Sequence, residues 1–189
     1  GSVDVAKLMQ PGPLEDMVLG NADAPVTIVA YSDFTCPYCQ QGAATMEKVL
    51  KENQGKIKYV FKHFPLETTG AARLAAEYHV AAARQDPELA WKFYDLLFAR
   101  RADVLKDGEP AIVNAAKDAG LNMKKLAADV KRKDVRAEVD ADIAEGQRIG
   151  VQGTPYFLIN NLVARGALSS DLFKEAINMA LQAAPSGQK

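Results

Sequence analysis

Only two cysteines occur in the 189 residues, and they stand three apart as Cys36-Pro37-Tyr38-Cys39. Two cysteines placed at random in this length would fall at that spacing about once in a hundred trials. With Cys36 at the start of a helix, unpaired backbone N–H groups and the positive end of the macrodipole favour its thiolate. That thiolate can attack a disulfide and form a mixed disulfide. Cys39, about one turn on, can then attack the intermediate and release the substrate. Three plainer uses compete. A structural disulfide closing four residues contributes only about 2 kcal/mol by loop entropy. Zinc needs four ligands, or three plus water, and the chain adds only His63 and His79, neither at finger spacing. Two inert core cysteines are the third use; Pro37 and the flanking Phe34 and Tyr38 argue instead for an exposed, shaped helix start.

A second signal is Gly150-Val151-Gln152-Gly153-Thr154-Pro155-Tyr156. Pro155 stands just before an apolar strand, where it cannot donate to the ladder, and X-Pro bonds are where cis peptides occur. Alone, this is ordinary loop-to-strand punctuation. Beside the cysteine pair it becomes specific, and a cis Thr154–Pro155 bond is expected.

The elements that must position these residues read as follows. Residues 3–25 are loop-like, punctuated by Pro11, Gly12, Pro13, Gly20 and Pro25. Val26 to Tyr31 is β-branched and apolar, a strand buried on both faces. Ser32 to Thr35 is a short loop, and a helix starts near Cys36 with Pro37 at its first position. Lys56 to Lys62 alternates Ile57, Tyr59 and Phe61 with lysines, which predicts a half-buried strand. From Ala71 to Glu145 there are 19 alanines, two glycines and two prolines. Helical spacing there predicts four or five helices, with Trp91, Phe93, Tyr94, Leu97 and Phe98 as their core. Tyr156 to Ile159 and Leu162 to Ala164 read as two strands joined at Asn160-Asn161. Asp171 to Ala183 reads as a last helix with Leu172, Phe173, Ile177 and Leu181 on one face. The plan is β-α-β, a helical block, then β-β-α, in which the outer units complete one sheet.

Composition narrows the function classes. The chain is 48% hydrophobic and 25% charged, with 23 basic and 24 acidic residues for a net charge of −1. That balance disfavours a nucleic-acid binder, and no apolar run approaches the length of a membrane-spanning helix. Lys131-Arg132-Lys133 reads as a solvated helix face. No phosphate loop or dinucleotide fingerprint occurs. Gly1-Ser2 reads as a scar from an expression tag.

On three segments the chain resembles the DsbA-like thiol:disulfide oxidoreductases of the thioredoxin superfamily. They are Tyr31-Ser32-Asp33-Phe34-Thr35-Cys36-Pro37-Tyr38-Cys39, Phe61-Lys62-His63-Phe64-Pro65-Leu66, and Gly153-Thr154-Pro155-Tyr156-Phe157-Leu158-Ile159-Asn160. The likeness runs from about Met17 to Ala184. It implies an α/β thioredoxin fold with an inserted all-helical domain. Residues 17–67 and 147–185 would form the discontinuous thioredoxin-like domain, 68–146 the insertion, and 1–16 an amino-terminal extension. It implies that Cys36 is the nucleophile and Cys39 the resolving thiol, supported by Pro37, Tyr38, Thr154 and Pro155. Thr154 and Pro155 would bind extended substrate peptide by strand addition. It further implies no cofactor beyond the redox-active Cys36–Cys39 disulfide and no metal. The partners would be unfolded or reduced substrate proteins and a membrane or soluble redox protein that recycles the pair. The location would be periplasmic or otherwise exported, although the sequence itself is equally compatible with the cytoplasm.

Two departures bear on this reading. Thioredoxins carry a buried acid six residues before the first cysteine, and here that position is Ala30. Asp33, Lys62 and His63 are candidates for proton transfer, each with a solvated loop position as the plainer reading. The dipeptide between the cysteines is Pro-Tyr where the strongly oxidising members have Pro-His. The pair is still expected to be more oxidising than thioredoxin. A disulfide isomerase or reductase, a glutathione-dependent transferase, and a redox-inert chaperone or scaffold with a structural disulfide are the alternatives. The redox state of Cys36–Cys39 and its equilibrium with glutathione separate them.

Overall fold

A computed structural model describes residues 17–20, 22–67 and 70–183. The extension at 1–16 and the last two residues of the segment 147–185 lie outside the described residues. The central strand is β2 (Val26–Ser32), whose apolar, β-branched sequence is buried along nearly its whole length. The helix α1 (Pro37–Glu52) crosses over to β3 (Ile57–His63), which lies parallel to β2 from Val26↔Ile57 to Ser32↔His63. On the other side of β2, β4 (Tyr156–Ile159) runs antiparallel and turns into β5 (Leu162–Arg165). The turn uses left-handed backbone at Asn160 (φ 49°), as its sequence predicts, and the Asn160 side chain accepts from the Thr27 N–H at 2.8 Å.

A further strand, β1 (Val18–Gly20), lies within the stretch expected to be loop. It pairs antiparallel with β3, giving the order β1-β3-β2-β4-β5. Three residues carry no periodic signal of their own; what recruits them is the open edge of β3, whose backbone needs partners. Gly20 is required there because its φ is +92° and a Cβ would run into the Ile57 carbonyl.

The helical block holds six helices rather than four or five. They are α2 (Ala71–Gln85), α3 (Pro87–Ala99), α4 (Arg101–Asp107), α5 (Glu109–Ala119), α6 (Met123–Asp129) and α7 (Lys133–Arg148). The difference lies in α4 and α6, seven residues each, too short for a periodic pattern to be read. Only Arg100 separates α3 from α4, and Gly108 at φ +67° separates α4 from α5. Asp86 caps α3 by accepting from the Leu89 N–H at 3.2 Å, with Pro87 at the first position.

These helices have no separate core. Phe93, Tyr94, Leu97 and Phe98 are buried in one cluster with the sheet residues Ile28, Ala30, Tyr59 and Phe61. Tyr94 stands edge-on to Phe61 at 4.8 Å, and Trp91, only partly buried, lies 5.7 Å from Tyr59. The strand β3 is buried on both faces, not half-buried, because α7 covers the second one. Lys62 is 5% exposed, with its Nζ 2.8 Å from Glu145 Oε1. The last helix, α8 (Ser170–Ala183), buries Phe173, Ile177 and Ala180. Leu172, expected on that face, is exposed, since the neighbour of Phe173 points about 100° away. Lys131, Arg132 and Lys133 are exposed as expected, but they do not form a helix face: the first two lie in the turn between α6 and α7, and only Lys133 is helical. Among the described residues no helix is long and apolar enough to cross a membrane.

Candidate active site

Cys36 is the residue that caps the start of α1. Its backbone is extended (φ −79°, ψ 126°) and Pro37 follows as the first helical residue. The Cys36 N–H donates to the Asp33 carbonyl at 3.1 Å, closing the loop that leaves β2. Its sulfur lies 3.7 Å from the Thr154 carbonyl oxygen, so the thiol can donate there. The Thr154–Pro155 bond is cis, as its position in the sequence predicts. Pro155 is buried against α1 at Gly42, where a Cβ would stand 3.3 Å from Pro155 Cγ and Phe157 Cζ. Absence of a side chain at Gly42 therefore sets how closely helix and proline approach. The structure thus brings together Cys36, Cys39, Thr154 and Pro155 from opposite ends of the chain.

The two thiols are free and unequal. Cys39 is 1% exposed and accepts a hydrogen bond from the Asp33 N–H at 3.4 Å. Cys36 is lowered to about 5, first by its bond with the Cys39 thiol. Burial opposes that, while Thr154 and the Cys39 and Tyr38 backbone N–H groups assist it. Cys39 is pushed far up by burial and by the bond it gives to Cys36. Ser32, Thr154 and the Asp33 backbone pull it back in part. The Thr154 hydroxyl is buried and bears on both thiols, yet its geometry makes no ordinary hydrogen bond. The arrangement favours a thiolate at Cys36 and a thiol at Cys39.

The helix start is less open than expected. Cys36 is only 8% exposed and Phe34 1%, whereas Pro37 is exposed and Tyr38 stands out at 62%. Phe34 turns inward because aromatic rings receive it: Phe98 at 4.9 Å, His79 at 5.2 Å and Phe61 at 5.4 Å.

The three candidates for proton transfer are all buried, not solvated. Asp33 is fixed by its own hydrogen bonds. Oδ1 accepts from the Thr35 N–H and hydroxyl, both at 2.8 Å, and Oδ2 accepts from the Leu66 N–H at 3.0 Å. It ties the cysteine loop to the segment after β3. Lys62 pairs in register with Tyr31, so it faces α7, whereas Ala30 shares the core with both cysteines. His63 joins His79, 3.1 Å away. Sequence reasoning did not single out Gly42, Gln40 or Arg101. Asp33 and Thr35 did carry a signal, since Asp-x-Thr is the pattern of a side-chain-closed turn. Among the described residues no group of three or more His, Cys, Asp or Glu could hold a metal ion.

Comparison with known proteins agrees with this geometry. The model of the family described as Thioredoxin matches residues 14–179. Over 179 residues the chain is 27% identical to disulfide bond formation protein D of Bacillus subtilis, covering 92% of the chain and 80% of that protein. The crystal structure of oxidised BdbD from Bacillus subtilis superposes with a TM-score of 0.80 at 27% identity, covering 92% of this chain and 96% of that one. The chain is also 30% identical over 185 residues to the Na(+)/H(+) antiporter NhaA 3 of Salinispora tropica. It covers 97% of itself but spans only 28% of that relative's length. A central sheet with an inserted helical block is thus the thioredoxin fold in its DsbA-like form.

Proposed function

The chain belongs to the thioredoxin family, and we propose that it is a protein thiol:disulfide oxidoreductase that introduces disulfides into exported proteins. The observation that carries this reading is the pairing of a lowered Cys36 thiol, at the start of α1 and 3.7 Å from the Thr154 carbonyl, with the buried Cys39 thiol behind it. In the oxidised protein, a substrate thiolate attacks the Cys36 sulfur. The Cys36–Cys39 bond breaks, and Cys39 leaves with the electron pair and takes a proton. A second substrate thiolate attacks the substrate sulfur of the mixed disulfide, and Cys36 leaves as a thiolate. Two electrons have passed from substrate to protein, and the substrate has gained one disulfide. The lowered Cys36 is the better leaving group, which favours this direction.

Extended substrate would lie along Thr154 and Pro155, where the strand β4 begins and the Thr154 carbonyl faces the sulfur. Pro37 and Tyr38 shape the helix start, Tyr38 offering an exposed ring beside Cys36. No cofactor beyond the cysteine pair takes part. The partners are reduced or unfolded proteins on one side and a membrane or soluble redox protein on the other, which reoxidises the pair. The setting is an exported one, periplasmic or equivalent.

Refolding of a reduced, disulfide-containing protein by the oxidised chain tests this. Stoichiometric disulfide gain by the substrate and loss of the Cys36–Cys39 disulfide is the expected result. A pair that glutathione leaves unreduced, with no transfer, would establish the scaffold alternative.

A further inference from the structure

The inserted helical block holds the cysteine loop from one side by the packing of Phe34 and by hydrogen bonds from Arg101 and to the Phe98 carbonyl. Arg101 is half-buried at the first position of α4. Its Nη1 donates to the Thr35 carbonyl at 3.2 Å, and its Nε donates to Gln40 Oε1 at 3.4 Å. Gln40 Nε2 in turn donates to the Phe98 carbonyl at 2.7 Å, and the Gln40 backbone N–H donates to the Cys36 carbonyl at 3.1 Å. Thr35 and Gln40 thus bracket the cysteine pair in sequence, and one guanidinium fixes both. The placement runs against local preference. A cation at a helix start opposes the macrodipole; α4 has no side-chain cap, and Asp103 in the same turn is what offsets the charge. A residue that breaks a local rule while bonding outside its own helix is expected to serve something other than that helix.

We propose that Arg101 is a positioning residue for Cys36: the guanidinium fixes the loop through Thr35 and Gln40 and sets a fixed positive charge beside the nucleophile, favouring its thiolate. Bond geometry limits the distance. With the Thr35 carbonyl carbon bonded to the Cys36 nitrogen, Nη1 lies within roughly 9 Å of the Cys36 sulfur, about one Debye length at 0.1 M ionic strength. The helical block thereby tunes the chemistry of the cysteine loop. The proposal rests on Cys36 being the attacking thiol.

The test is the titration of Cys36 in the reduced protein, followed by thiolate absorbance, and the equilibrium of the pair with glutathione. Arg101→Gln and Arg101→Met both remove the charge, the second keeping most of the stem's packing. Either variant that folds should weaken thiolate formation about three- to tenfold and shift the glutathione equilibrium toward the disulfide by the same factor. Tenfold is about 30 mV for this couple. Arg101→Lys restores the charge without the fork and should recover most of the titration. A folded Arg101→Gln or Arg101→Met that titrates like the native protein would overturn the proposal, as would Arg101→Lys matching Arg101→Gln. Loss of substrate oxidation by the native protein would instead count against the proposed function, and the titration reads Arg101 in either case.

Discussion

His79 Nδ1 lies 3.1 Å from His63 Nε2, and neither imidazole reaches solvent. The protons on this pair follow from the neighbours. His79 Nε2 lies 3.2 Å from the Ala90 carbonyl, which can only accept, so Nε2 carries the proton. Neutral His79 then accepts at Nδ1, and His63 donates from Nε2. The pair joins β3 to α2 and α3. Phe34, from the cysteine loop, packs on both rings at 5.9 and 5.2 Å.

This contact predicts a specific acid sensitivity. In the unfolded chain both histidines titrate near 6.5. In the fold, burial holds His79 down to about 3 against the opposing Ala90 bond, and holds His63 well below its ordinary value, with His79 adding to the effect. Below about pH 6.5 the unfolded chain binds protons that the fold excludes. Stability is therefore full above that pH and declines toward pH 3, by up to about 1.4 kcal/mol per pH unit for each histidine. Urea midpoints between pH 4 and 7 should show a shallower slope for the double variant His63→Gln, His79→Gln. An unchanged slope would remove the pair as its source.

Much of the site was legible because its groups are neighbours in sequence or carry strong backbone constraints. Cys36, Pro37 and Cys39 declare a helix start, and Pro155 declares a strand entry. What escaped depends on residues brought together from far apart. Lys62 looks solvent-facing by alternation until Glu145, 83 positions later, arrives on α7 to meet it. Nothing near Arg101 in sequence indicates that it reaches Thr35. Phe34 reads as exposed flank until the rings of the helical block provide its pocket. The pairing of β1 is likewise decided by the edge of β3, not by its own three residues.

The acid that meets Lys62 is expected to matter for stability rather than for thiol chemistry. Glu145 Oε1 accepts from the Tyr31 hydroxyl at 2.5 Å and from Lys62 Nζ at 2.8 Å, on the sheet face away from the cysteines. Lys62 and Glu145 side chains are 6% and 14% exposed. Glu145→Ala should destabilise the fold by about 3 kcal/mol, the scale for removing one member of a buried ion pair. Denaturant unfolding measures this, and Cys36 alkylation rates should stay at the native level in the same variant. A Glu145→Ala loss below about 1 kcal/mol would place the pair with exposed ones.

Gly146, one residue on, should tolerate no side chain. A Cβ there would stand 2.7 Å from Phe64 Cδ2, 2.8 Å from Phe64 Cε2 and 3.4 Å from Tyr31 Cδ1. Alanine normally stabilises a helix relative to glycine by up to about 1 kcal/mol. Here the contact with two buried rings should reverse the sign, at about 1–3 kcal/mol destabilising. Thermal unfolding of Gly146→Ala decides it; a raised midpoint would mean that α7 shifts freely on the sheet.

The last expectation concerns the division of labour between the two cysteines. Cys36 is lowered to about 5, and Cys39 is pushed far above the ordinary thiol range by burial and its bond to Cys36. Alkylation of the reduced protein should therefore follow one group with a midpoint near pH 5, and that group should be Cys36. The linkage has a definite sign. Unperturbed thiols titrate near 8.5, so the thiolate's stabilising effect on the reduced fold is complete above that pH. It is lost as pH falls through about 5. At pH 7 only the span between 5 and 7 counts, two pH units at about 30 mV each. Discounted for solvent around the sulfur, that raises the potential by about 30–60 mV over an unperturbed pair; thioredoxin's own thiol is lowered only to about 7, so the protein is expected to be the more oxidising of the two. A measured potential at or below thioredoxin's would favour the reductase reading. Cys36→Ala should abolish exchange. Cys39→Ala should still attack disulfides but accumulate mixed disulfides, because no second thiol remains to release the substrate. Faster alkylation of Cys39 than of Cys36 at low pH would reverse the two roles.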